Sequence, residues 1–154
     1  MEYIKKLPKE GYCDECGEFV PFYLETRQNR TLKVKGVEVT STEFVGHCAK
    51  CHNEIWIDEV ENINCNNFYN EYKKKVGLLT KEEIIAIRKK RKMSQRDLAR
   101  FLSIGEKDIT RYENGAIQTR AVDLMIRMVD DDEAFLKMSQ VVEKAKLIAS
   151  KVPM

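Results

Sequence analysis

Four of the five cysteines in this 154-residue chain fall into two pairs, Cys13-x-x-Cys16 and Cys48-x-x-Cys51, separated by residues 17–47. A Cys-x-x-Cys turn brings two thiolates close enough to share a metal. Two such turns complete the four-sulfur tetrahedron of a structural zinc site. The expectation is one Zn2+ per chain, held by Cys13, Cys16, Cys48 and Cys51. Four thiolates fill that shell and leave no place for a water, so hydrolytic catalysis is not expected. Rubredoxin-type iron or a 2Fe–2S cluster uses the same four sulfurs, and the spacing leaves both open. Thioredoxin-like redox chemistry needs one such motif after a strand in a βαβ setting, which is absent. His47 and His52 flank the second pair and are expected to hydrogen-bond near the thiolates and temper their charge. Cys65 falls on an apolar stripe and is expected in a core.

The second constellation is basic. Residues 80–129 hold 12 Lys/Arg against 7 Asp/Glu, whereas residues 1–79 hold 11 against 13. A cationic segment beside an acidic one points to a polyanion-binding module with a different task next to it. Within that segment, Met93 to Gly115 resembles the helix-turn-helix of phage-repressor-like regulators: Ser94-Gln95 opens one helix, Leu98-Ala99 follows, and Arg111-Tyr112-Glu113-Asn114-Gly115 closes the next. Leu98, Ala99, Leu102, Ile109 and Tyr112 are spaced to pack the two helices together. Glu106, Lys107, Thr110, Arg111 and Asn114 are left on the outer face, where a helix enters the major groove. Lys107 and Arg111 lie four apart and suit the O6 and N7 acceptors of guanine. Gln95, at the start of its helix, suits a phosphate, and Arg96 and the run Arg88 to Lys92 suit the DNA backbone. Thr110 and Asn114 complete the candidate DNA-binding set. Glu106 and Asp108 are acidic where polar, uncharged residues are common.

These residues need elements to hold them. Short strands are predicted at Phe19 to Leu24, Thr31 to Val39, Glu43 to His47 and Glu54 to Asp58, with Gly36 marking a bulge or turn. From Ile63 the period becomes helical, with Cys65, Phe68, Tyr69, Tyr72 and Val76 on one stripe ended by Gly77. Thr80 with Glu83, and Ser94 with Asp97, form capping boxes that open two helices. Further helices are predicted from Glu106 to about Asn114, from Arg120 to Val129, and from the Asp130 to Asp132 run onward. The last carries Phe135, Met138, Val142, Ala145 and Ile148 or Ala149 on one face, which either covers the domain's core or supplies a dimer contact. The fold class is therefore α+β: a small, β-rich four-cysteine zinc domain at 1–79, then an all-α helix-turn-helix domain at 80–154 with an additional C-terminal helix.

Hydrophobic residues at 43% and charged residues at 34% fit a globular chain. No apolar run reaches the roughly 18 residues of a membrane span, and MEYIKKLPKEGY lacks the apolar core of a signal peptide. A cytoplasmic location is expected, where cysteines serve as metal ligands rather than disulfide partners. No nucleophile has a base at a matching spacing, so an enzyme is not expected.

The order and spacing of the two Cys-x-x-Cys pairs, the connecting segment and the Arg111-Tyr-Glu-Asn-Gly signature resemble the MqsA-type antitoxins over residues 11 to about 129. The resemblance implies that the zinc domain contacts a toxin protein encoded nearby. It also implies that the helix-turn-helix domain dimerises, binds an inverted-repeat operator and represses its own operon, with Lys107 and Arg111 at base-reading positions. Cys65, the longer N-terminal lead and the helix after Asp130 depart from that pattern. A stand-alone repressor of phage type, or one responsive to metal or redox state, is the alternative.

Overall fold

A computed structural model describes residues 6–151, which fold as an antiparallel sheet followed by six helices, an α+β arrangement. The chain divides into two compact units, one ending at Val76 and the other beginning at Gly77. Among the described residues, no helix is long and apolar enough to cross a membrane.

In the first unit, β1 (Glu10–Cys13), β2 (Glu18–Val34), β3 (Val37–Cys48) and β4 (Glu54–Ile55) lie side by side in that order, each antiparallel to the next. Three of the four predicted short strands are parts of two long ones, β2 and β3, and the fourth is β4, confined to Glu54 and Ile55. Thr31 to Val39 is not a strand but the tip of the β2–β3 hairpin, where Val34 faces Val37 across Lys35 and Gly36. Both turn residues have positive φ (48° and 78°), the backbone a two-residue hairpin turn requires, and glycine adopts it without steric cost. Lower down, Gln28 and Asn29 together oppose the single residue Thr42 in a bulge, with Asn29 at φ 55°. Gly46 is needed for closeness rather than for φ: a Cβ there would lie 2.7 Å from Ile57 Cδ1. The core gathers Cys13, Val20, Cys48, Ile55, Ile57 and Val60 at the base of the sheet.

Helix α1 (Asp58–Val76) begins before Ile63 and packs on β3. Its buried positions are Val60, Asn64, Phe68 and Lys73, and Cys65 is exposed. The expectation that Cys65 lies in a core is therefore corrected. The helix is rotated so that Asn64, one residue earlier, faces the sheet. Its side chain accepts from the Phe44 amide and donates to the Phe44 carbonyl, both at 2.8 Å. A buried amide that satisfies both polar groups of one strand residue avoids the cost of an unpaired polar atom.

The second unit is built from α2 (Lys81–Lys90), α3 (Gln95–Phe101), α4 (Asp108–Glu113), α5 (Arg120–Asp130) and α6 (Asp132–Ser150). Both predicted capping boxes are present, Thr80 with Glu83 and Ser94 with Asp97. Leu79, Ile84, Ile87, Leu98, Ile109 and Ile126 anchor the core. Helix α4 starts two residues later than predicted, with Lys107 at the N-cap and Asp108 accepting from the Gly105 amide at 3.0 Å. A fully buried carboxylate, Asp123, ties α5 to the chain entering α2. It accepts from the Leu79 amide (2.7 Å), Gln118 Nε2 (3.0 Å) and Arg127 Nε (2.8 Å). Burial alone would raise its pKa, but these donors hold it below the usual carboxylate value.

Candidate metal centre and nucleic-acid face

The two Cys-x-x-Cys segments fold as matched knuckles. In each, the residue after the second cysteine donates its amide to the carbonyl of the first: Gly17 to Cys13 at 2.8 Å, His52 to Cys48 at 2.9 Å. Both adopt left-handed backbone, at φ 66° and 64°. The pairing of β1 with β2, and of β2 with β3, brings the knuckles together: Cys13 opposes Glu18, and Cys48 opposes Phe22. All four sulfurs lie within 4.8 Å of one another, with Cys13–Cys51 at 3.5 Å and Cys16–Cys48 at 3.9 Å. A Zn–S bond of about 2.3 Å puts tetrahedral sulfurs roughly 3.8 Å apart, so the cluster has the dimensions of a four-thiolate metal site.

The thiols are unequal. Burial pushes the Cys48 thiol up, but the amides of Cys51 and Lys50, aimed at its sulfur from 3.4 and 3.3 Å, outweigh this and bring it down to about 6. Cys16 is pushed up to about 12, by burial first and then by neighbouring sulfurs. Packed without a cation, four thiols cannot all ionise. A divalent metal removes that conflict, and the residues present fit zinc.

The histidines hydrogen-bond beside the second knuckle, to groups other than the sulfurs. His47 donates Nε2–H to Glu25 (2.6 Å) and Nδ1–H to the His52 carbonyl (3.0 Å). Acceptors at both ring nitrogens favour the imidazolium, and the His47 pKa is raised by the His52 carbonyl and by Glu25. Arg27 pairs with Glu25 and also reaches Glu54. His52 Nδ1 lies 3.1 Å from the Tyr23 hydroxyl. These groups make a polar layer on β2, β3 and β4 beside the second knuckle.

Three exposed aromatics near the first knuckle escaped sequence reasoning. Tyr12 and Phe19 oppose each other across β1 and β2 and meet edge to face at 5.4 Å. Tyr12 and Trp56 line one cleft together with Asp14, Glu15 and Glu54. Phe19 is 67% and Trp56 71% exposed. Phe22 and Leu24, by contrast, pack against the core. The available signal was alternation: Phe19 falls out of phase with Val20 and Phe22 on the strand.

In the second unit, Ile109 and Tyr112 are buried while Lys107, Arg111 and Asn114 are exposed on the other side of α4. Arg96 on α3 is also exposed. Gln95 and Thr110 are half-buried and bonded to each other, Thr110 Oγ1 donating to Gln95 Oε1 at 2.8 Å, while Gln95 Nε2 donates to Glu113 at 2.7 Å. Of the acidic residues, Glu106 accepts from Arg100 at 2.8 Å and Asp108 accepts from Arg111 at 2.7 Å. Asp108 thus holds Arg111 on the exposed face.

The basic run Arg88 to Lys92 divides. Arg88 forms a two-pronged, largely buried ion pair with Glu113 (2.6 and 2.9 Å) and also donates to the Met93 carbonyl. Arg91 donates to the Val129 and Asp130 carbonyls, and Lys90 to Asp130. The side chains of Arg88 and Arg91 are thus taken up within the unit, which corrects their expected use along a DNA backbone, whereas Lys90 stays half exposed.

No curated relative matches the chain. Residues 12–138 match the family model MqsA_antitoxin, described as the antitoxin component of a bacterial toxin–antitoxin system, MqsA. That match spans both cysteine knuckles, the exposed face of α4 and most of the chain between and around them, and the chain belongs to the MqsA antitoxin family.

Proposed function

We propose that this chain is a cytoplasmic antitoxin and repressor that works by binding rather than by catalysis. Its second unit, as a homodimer, holds an inverted-repeat operator. Its first unit, organised by one zinc ion on Cys13, Cys16, Cys48 and Cys51, holds a toxin protein encoded nearby. The observation that carries the DNA half is the division of α4 into a buried apolar side and an exposed side bearing Lys107, Arg111 and Asn114. Lys107 and Arg111 read base edges, and Arg96 and Asn114 approach phosphates. Gln95 and Thr110 border this face and keep α3 and α4 in register. In competition binding against single-base operator variants, Arg111→Ala is expected to weaken the preferred site by about 1–3 kcal/mol and to relax choice at one base pair. Unchanged discrimination would remove α4 from the recognition role.

The exposed aromatics favour an antitoxin over a stand-alone repressor. Exposed Tyr12, Phe19 and Trp56 form an aromatic cluster, Tyr12 meeting Phe19 edge to face and sharing with Trp56 a cleft that Asp14, Glu15 and Glu54 also line, and exposed aromatics of this kind mark a protein interface. Its negative rim suits a basic partner and repels DNA. Trp56→Ala combined with Phe19→Ala is expected to weaken toxin binding by about 30-fold or more, since exposed aromatic anchors dominate interfaces, with zinc content unchanged. Equal affinity in calorimetry would place the toxin elsewhere.

A further inference from the structure

We propose that Asp108 is a positioning residue for base reading: its carboxylate presets Arg111 for guanine and keeps that guanidinium from binding phosphate indiscriminately. This rests on the DNA-reading face of α4 proposed above and adds the residue that makes that face selective.

The Asp108 carboxylate is seated at both oxygens. Oδ2 accepts from the Gly105 amide at 3.0 Å, and Oδ1 accepts from Arg111 Nη2 at 2.7 Å, one helical turn on. Gly105 makes the seat, since a Cβ there would lie 2.9 Å from Oδ2 and push the carboxylate aside. Arg111 is therefore anchored at one N–H although its side chain is 63% exposed. A guanidinium has five N–H donors, so holding one of them leaves a two-donor edge for guanine O6 and N7. A long side chain fixed before DNA arrives loses less freedom on binding.

Charge supplies the selectivity. A free arginine on this face would bind any phosphate it met, whatever the sequence. Beside Asp108 the pair is neutral overall, and a phosphate brought to it meets a carboxylate. The acceptors of guanine carry no net charge and meet no such repulsion. Glu106 offers the contrast. It accepts from Arg100 at 3.0 and 2.8 Å and lies 3.6 Å from Arg96, and both of these partners are on α3. Removing either carboxylate changes the charge of the unit equally. A loss of guanine preference confined to Asp108 therefore reports the Arg111 contact and not charge in general.

The test uses the full zinc-loaded chain and a pool of duplexes of randomised sequence, sequenced after selection. The wild type is expected to enrich guanine at one position of each half-site. Asp108→Asn keeps an oxygen for the Gly105 amide but turns its NH2 group toward Arg111. It should lower that preference by about tenfold and bind an alternating A·T duplex, which holds no guanine, several times more tightly. Asp108→Ser, too short to reach Arg111, should do the same, with helical circular dichroism unchanged in both. Glu106→Gln should tighten A·T binding likewise and keep the guanine preference. In an Arg111→Ala background, Asp108→Asn should lower the preference no further. Asp108 variants that keep the preference, or a Glu106→Gln that loses as much, overturn the proposal. If Arg111→Ala loses the preference while both Asp108 variants keep it, α4 still reads the operator and only the role of Asp108 falls. If Arg111→Ala keeps it, or the wild type enriches no sequence, the reading of α4 falls as well.

Discussion

Cys48→Ser is expected to strip the metal from the first unit and unfold it, while the second unit keeps its helices. The core of the first unit is small, and two of its buried members, Cys13 and Cys48, are themselves proposed ligands. Structural zinc contributes about 10–16 kcal/mol of apparent binding energy in small finger peptides, as much as the whole stability of a typical domain. Losing one thiolate also removes the sulfur that receives the Lys50 and Cys51 amides, so the second knuckle loses its internal order. The second unit has its own core and its own caps and shares neither. Elemental analysis should find one zinc in the wild type and none in the variant. Circular dichroism should show strand signal lost and a helical melting transition retained. A metal-free sample that keeps its sheet, or a wild type that holds iron, would refute the zinc assignment.

Glu113→Ala is expected to cost the second unit about 3–5 kcal/mol, because it leaves the Arg88 guanidinium buried without its partner. The Glu113 side chain is 4% exposed and that of Arg88 14%. Glu113 also receives Gln95, which in turn receives Thr110, so one carboxylate holds α2, the start of α3 and α4 together. For a unit of this size, that loss lowers the melting temperature by on the order of 20 °C. Operator binding should fall with it even at temperatures where the variant is folded, since α4 loses its register to α3. Thermal melts of full-length Glu113→Ala and Glu113→Gln, compared with wild type, check this. A fall of only a degree or two in both would mean that the apolar core alone positions α4.

What could be read from the sequence was local. Thr80 and Glu83, or Ser94 and Asp97, are three residues apart, and one turn of helix is enough to make them partners. The cysteine spacing is likewise a property of a four-residue turn. The misjudged residues depend on partners far along the chain. Arg88 is one of a run of five cations in sequence, and only Glu113, 25 residues away, makes it a buried ion-pair member. Asn64 looks like a surface residue until Phe44 supplies an amide and a carbonyl to it, and that pairing turns Cys65 outward. The hairpin turn falls inside a stretch that reads as one strand, Thr31 to Val39, because Lys35 carries no turn signal, although its φ of 48° completes the turn with Gly36. The sequence suggests Phe22, Tyr23 and the stretch Thr31 to Val39 as a partner-binding surface. Of the two aromatics Phe22 packs against the core and Tyr23 is exposed, while Tyr12, Phe19 and Trp56 are exposed through the alternation of the chain.

The hairpin also sets an order of events during folding. Cys16 and Cys48 are 32 residues apart, and holding them together as the ends of a floppy loop would cost conformational entropy with no contact to offset it. The two-residue turn at Lys35 and Gly36 replaces that loop with a zipper. Pairing starts between neighbours and runs down β2 and β3, past the bulge, until Phe22 meets Cys48. Hairpins close in about 1–10 μs, yet a lone two-stranded ribbon is marginal in water. The chain therefore makes repeated short-lived closures, each delivering the second knuckle to the base of the sheet. Capture of the ion makes one of them last, and a turn more than ten residues from any cysteine governs how often that opportunity arises.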